Sequence, residues 1–306
     1  MILQEVLDIY TLLDKANARG EEVAEYLRNN GADEVMTTSI QGKNGSTDGL
    51  KIRIKGYDDT APTLGIIGRL GGLGARPEVT GFVSDGDGAL TALAVALKLA
   101  RMNKRGDQLP GDILITTHVC PDAPTRAHKP VPFMDSPIDM EAMNKHEVLE
   151  EMEAILSIDT TKGNRILNYN GFTISPTIKE GYILKVSEDL LSIMETVSGK
   201  AAVVIPVTQQ DITPYSNNLY HINSIFQPAV ASDAPVVGVA ITTETAVAGC
   251  ASGATHFADI ESAGRFVVEV AKYFTSRQCD FYDQQEFKKL EHLYGSLKKF
   301  QTPGLN

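Results

Sequence analysis

The chain has 306 residues, 42% hydrophobic and 22% charged, enough to bury a large core as one long domain or two small ones. Its 28 Lys and Arg against 39 Asp and Glu give a net charge of −11, a balance that argues against nucleic-acid and anionic-membrane partners, whose binding needs clustered bases. Three scattered cysteines (Cys120, Cys250, Cys279), no basic-flanked apolar leader at Met1 and no run near the about twenty apolar residues that span a bilayer set the expectation of a soluble, cytoplasmic protein without disulfides.

Apolar residues at helical spacing predict a first helix over residues 2–17, and Gly20 followed by Glu21 and Glu22 opens a second. Two β-rich runs, 34–40 and 50–54, flank a turn-rich stretch from Gly42 to Gly49 suited to a hairpin. Residues 63–68 read as a buried strand and 68–77 as a glycine-rich loop; Asp85-Gly-Asp87-Gly88 then leads into an apolar helix over 89–102. A second buried strand, 111–118, stops at Cys120-Pro121-Asp122 and gives way to a proline-rich loop over 124–137. Further on come a strand at 154–159, a hairpin-like stretch to Lys185, a helix over 188–197 and strands at 201–207 and 235–241. Helices over 259–273 and 284–298 close the chain. Alternating strands and helices predict a three-layer α/β/α fold with a mostly parallel mixed sheet, ligands lying at the carboxyl ends of its strands. There is no internal repeat and no clear linker, so one domain over 1–306 is expected, with an N-terminal helical and hairpin segment (1–60), a core (61–275) and a C-terminal helix (276–306).

Residues just past the strand ends are the chemical candidates: Arg69, Asp85, the segment from His118 to Asp122, Asp159 and the loop from Thr242 to His256. If the chain stays extended past His118, then His118, Cys120 and Asp122 share one face and offer nitrogen, sulfur and oxygen ligands; equally, His118 ends a strand, Cys120 packs in the core and Asp122 opens a turn. Asp85 and Asp87 suit a helix N-terminus, and their spacing is not that of a calcium loop. The glycines after Gly65 match neither the dinucleotide nor the P-loop pattern, and no Gly-x-Ser-x-Gly elbow is present. Arg126 in the proline-rich loop, and His221 in the polar-aromatic cluster of Tyr215, Asn217, Asn218 and Tyr220, are further candidates for ligand contact, the cluster serving equally as a surface cap.

Taken in order, these pieces resemble the zinc-dependent exopeptidase superfamily of dinuclear aminopeptidases and carboxypeptidases. Ser84-Asp85-Gly86-Asp87-Gly88-Ala89 and the helix behind it are similar to the family's metal-bridging Asp. The strand from Gly111 to Pro121-Asp122 is similar to the one that delivers Glu-Glu, the strand ending at Asp159 to the one that delivers a third carboxylate, and the 235–241 strand with the following helix to the elements around the final His. The departures are Arg69 and Gly71 at the family's His-x-Asp and Pro121 at its catalytic Glu; a proline cannot move a proton. The resemblance implies one divalent metal, zinc, on Asp85, Asp122, Asp159 and His256, with His118 as the substitute general base. It points to an uncharacterised bacterial branch of the superfamily, and the expected function is a metal-dependent hydrolase of a small peptide or N-acyl amino-acid bond. The alternative is a catalytically inactive, metal-free sensor or subunit that binds a small acidic ligand through Arg69 and the glycine-rich loop. Either way the expected partner is a small molecule or peptide, and a homo-oligomer is compatible with the composition.

Overall fold

The protein's structure, a computed structural model, describes residues 1–69 and 81–304. Helices α1 (Leu3–Leu13) and α2 (Gly20–Asn29) lead into strands β1 (Glu34–Gly42), β2 (Gly45–Ile54) and β3 (Leu64–Gly68). A 3-10 turn at Ser84–Gly86 opens α3 (Asp87–Lys104), followed by β4 (Ile113–Val119), a short ribbon of β5 (Thr125–Arg126) and β6 (Phe133–Met134), and α4 (Met140–Glu147). Next come β7 (Ala154–Thr161), β8 (Gly171–Ile174), β9 (Ile178–Lys179), β10 (Tyr182–Ile183), α5 (Glu188–Ser198), a 3-10 segment at Ser224–Val230, β11 (Val236–Thr242), α6 (Phe257–Thr275) and α7 (Gln284–Tyr294).

β3, β4 and β11 are buried at every residue and β7 at all but one, so they read as continuous apolar runs instead of alternating ones. They form the parallel centre of a sheet whose order is β1-β2-β4-β3-β7-β11-β9-β10, with β8 also on β11. The flanks are antiparallel, both on the hairpin side and through β8, β9 and β10. The sheet is therefore mixed, which corrects the mostly parallel expectation: short connections and hairpins supply the outer strands, and only the centre is built of crossovers. The hairpin turn is just Lys43-Asn44, so β2 begins within the stretch read as the turn.

Side chains alternate across the central strands. Leu64, Ile66, Leu156, Ile158, Val237 and Val239 join the core under α1, α2, α3, α5 and α6, whereas Ile67, Leu114, Ile155 and Ala240 join Ile225, Phe226 and Ala229 of the 3-10 segment on the other face. That second face is covered more thinly, by α4 and the 3-10 segment. The predicted strand at 201–207 is reduced to a single bridge between Val204 and Ile174, because Pro206 has no N–H to extend a ladder. The first helix ends at Leu13 and the last at Tyr294, where Gly295 takes a positive φ of 74°. Among the described residues no helix is long and apolar enough to cross a membrane.

What aims α3 at the strand ends is close backbone packing. A Cβ on Gly88 would lie 2.7 Å from the Ile158 carbonyl oxygen and 2.8 Å from that of Arg69, and one on Gly68 would meet the Gly88 oxygen at 2.8 Å. The first turn of α3 thus sits directly on the ends of β3 and β7, carrying Asp85 and Asp87 with it. Gly88→Ala should cost about 1–3 kcal/mol, because the atoms it meets are backbone and cannot rotate away; urea unfolding of the two proteins measures this.

Candidate functional site

Arg69 follows β3 directly, and its N–H donates to the Ile158 carbonyl at 2.7 Å, so the side chain starts from a fixed point. It is fully buried and points across the thinly covered face to α4. One guanidinium nitrogen donates to Asn144 Oδ1 at 2.5 Å and another to Met140 Sδ at 3.0 Å, while Nε faces Glu147 Oε2 at 3.3 Å as an ion pair without hydrogen-bond alignment. The other Glu147 oxygen lies 2.7 Å from His118 Nδ1, and Thr116 Oγ1 donates to the Glu147 carbonyl. Asn144 in turn donates to the Gln227 carbonyl at 3.0 Å, tying α4 to the 3-10 segment. Burial pulls the Arg69 pKa below the usual arginine value, opposed by Glu147 and then by Asp159.

Asp159, at the end of β7, is fully buried; Oδ2 accepts from Ser224 Oγ at 2.5 Å and Oδ1 from the Thr160 N–H at 2.7 Å. Burial pushes its carboxyl up to about 7, against the pull of the Ser224 hydroxyl. Asp87 is likewise buried and raised to about 7 by desolvation, although Lys162 Nζ lies 3.4 Å from one oxygen and Thr255 Oγ1 donates to the other at 2.9 Å. Asp85 is the half-buried member of the group: Oδ2 accepts from the Met134 N–H at 2.9 Å, so the short ribbon is anchored over it, and burial again raises its pKa. A Cβ on Gly249 would fall 1.7 Å from Asp85 Oδ1, so the loop before α6 lies flat against the carboxylate.

The other candidates lie apart. Asp122 is exposed beyond the end of β4, while Cys120 turns into a small cluster with Val83, Met134 and Cys250; the three residues expected on one face do not converge. His118 is 2% exposed and its Nδ1 lies 2.7 Å from Glu147 Oε1, and no metal-holding group of side chains forms beside it among the described residues. His256 is exposed at the start of α6; its neighbour Thr255 is the residue that reaches Asp87. Arg126 is exposed and 2.5 Å from Asp135, and His221 holds its own loop through Thr213 and Leu219 and packs on the Tyr215 ring. The glycine-rich loop, Gly71 included, lies outside the described residues beyond Arg69.

These positions do not fit the expected zinc. Asp122 and His256 do not join Asp85 and Asp159, both Asp159 oxygens already accept hydrogen bonds, and Glu147 Oε2 faces a guanidinium. Among the described residues no three His, Cys, Asp or Glu side chains come together in a way that could hold a metal ion. The residues the sequence reading missed are Glu147 and Asn144 of α4, Ser224 and Lys162. A signal for α4 existed: Asp139 caps it, accepting from the Ala142 N–H, and Met140, Met143, Asn144 and Glu147 follow at helical spacing.

The family described as "Protein of unknown function (DUF1177)" matches residues 38–304. The chain belongs to that family. No curated protein matches it by sequence. Among solved structures it is similar to the LapA aminopeptidase of Legionella pneumophila, at 12% identity and a TM-score of 0.50 over 90% of this chain and 70% of that one. It is also similar to a glutaminyl cyclase of an Acidobacteriales bacterium, at 13% identity and a TM-score of 0.53 over 90% and 94%. At such identities the likeness is one of fold: this DUF1177 chain has an α/β fold with a mixed sheet, distantly like peptidase- and cyclase-type structures.

Two predictions follow from the buried charges. Glu147→Gln leaves Arg69 charged, buried and unpaired, and should cost about 3–5 kcal/mol in urea unfolding, much of it regained when Arg69→Met is added. The second concerns pH. Asp159 binds its proton more tightly in the folded chain, at about 7, than in the unfolded one, so its contribution to stability is full in acid and is lost as pH rises through about 7. Asp159→Asn should therefore flatten the fall of unfolding free energy between acid and neutral pH, measured by denaturant titration across that range.

Proposed function

We propose that the strand-end site binds a small amino-acid- or peptide-like ligand through its protonated amino group, at Asp85 and without a metal. The observation that carries this reading is the charge balance. Arg69 is committed to Glu147 and Lys162 to Asp87, which leaves Asp85 and Asp159 without an ion pair among the described residues. Of the two, Asp85 is the one that reaches solvent. Burial raises the Asp85 pKa despite the Met134 N–H and the more distant charge of Lys162, and a carboxylate held up by desolvation gains from a cation that arrives with a ligand.

The acidic-ligand reading loses its clamp, because a guanidinium already neutralised by Glu147 has no net charge to offer a second carboxylate. The metal-dependent hydrolase reading is supported by the likeness of fold to an aminopeptidase and a cyclase, and lacks a ligand set among the described residues.

Calorimetric titration of the full chain with a panel of dipeptides and their N-acetylated forms, before and after chelator treatment, tests the proposal. Free amines should bind and acetylated ones bind at least about tenfold more weakly, with chelation making no difference. Asp85→Asn and Gly249→Ala should each weaken binding by a similar factor, the second by pushing the carboxylate aside. Stoichiometric zinc, manganese or cobalt that disappears in Asp85→Asn, together with metal-dependent peptide hydrolysis, would restore the hydrolase; no saturable binding by any amine in the panel would reject the site.

A further inference from the structure

The opposite, amino end of the sheet is concave. Pro62, Glu153 and Pro235, which precede β3, β7 and β11, border an open cavity of about 890 Å³, a size typical of small-molecule sites. Its lining is partly aliphatic and includes one aromatic group: Phe274 in the last turn of α6 meets Phe281 edge-on at 5.3 Å between ring centres, and Tyr282 follows Phe281 in the lining.

The charges around this cavity are unequal. Lys179 and Arg277 are its cations, and Glu150, Glu153, Asp233 and Asp280 its acids. Lys179 Nζ lies 2.7 Å from Glu180 and also donates to the Asp233 carbonyl, while Arg277 donates to the Thr60 carbonyl. Asp233 is 2.6 Å from Lys298, and Glu153 accepts from the Thr63 N–H. Glu150 and Asp280 remain, with no ion pair among the described residues. The aromatic wall already holds one cation, since Lys179 Nζ sits 5.6 Å over the Tyr282 ring and 5.1 Å over that of Phe287.

We infer that this amino-end cavity is a binding site for an organic cation with an apolar body, its ammonium groups meeting Glu150 and Asp280 and its methylene chain lying on Phe274 and Tyr282. Attraction of cations to a ring face, and burial of a methylene stem against aromatic carbon, are what such a lining offers. The site is separate from Asp85 and does not depend on the reading of the strand-end site.

Spermidine is the probe, titrated into the full chain by calorimetry at low and at physiological salt, with glutamate as the anionic comparison. A saturable event that survives physiological salt, and persists when a free dipeptide is present to occupy the strand-end site, is expected. Glu150→Gln/Asp280→Asn should weaken it about tenfold or more, and Tyr282→Ala roughly two- to fivefold. The surface pair Glu25→Gln/Asp107→Asn should leave it unchanged. All four altered acids are at least partly exposed, so these variants do not depend on a core rearrangement. The inference is overturned if spermidine does not saturate, if the surface pair weakens binding as much as the cavity pair, or if glutamate binds as tightly.

Discussion

A guanidinium taken out of water has to meet a carboxylate, and the site depends on how Arg69 does so. Removing either ion from solvent is expensive, and only close pairing with further hydrogen bonds offsets that cost. Arg69 is anchored at the end of β3 by its backbone N–H, so the carboxylate has to come to it. Helix α4 brings Glu147, and the same helix brings Asn144 and Met140 to the remaining guanidinium nitrogens. His118 from β4 closes the far side of Glu147. The thin covering of the second sheet face is thus pinned by one buried pair, with Asn144 extending the tie to the 3-10 segment.

A second constraint comes from the first turn of α3. Gly68 and Gly88 let its backbone press onto the strand ends, which buries Asp87 and half-buries Asp85 in a region with little water to solvate them. Lys162 answers Asp87, just as Glu147 answers Arg69. The strand ends therefore carry their own side-chain counter-ions where the sequence resemblance suggested metal. What these pairings leave over are the carboxyl groups of Asp85 and Asp159, without an ion pair among the described residues, and the proposed binding of a cationic group rests on that remainder.

The four central strands were legible because burial on both faces demands continuous apolar runs. The helix behind Asp85 and the one after β11 were legible from their apolar spacing. The strand expected at 201–207 was not formed, since its composition suits a strand but its neighbours offer a single bridge. Asp85 and Asp159 were singled out by their place after strands, and both lie at the strand ends. Arg69 was found too, but read as a ligand clamp, because its partner lies on a helix hidden behind a proline-rich loop. His118 was visible by its residue type, whereas the Glu147 paired with it was not.

The sequence by itself determined an α/β fold with a buried parallel centre, and the strand ends on which ionisable residues would gather, because burial and strand punctuation are local properties of the chain. Only the tertiary structure decided which charges neutralise one another. Pairing depends on distances between side chains from separate elements, Arg69 with Glu147 and Lys162 with Asp87, and on how far packing excludes water around each. Those distances set two internal ion pairs at the strand ends and left the four expected metal ligands unassembled among the described residues.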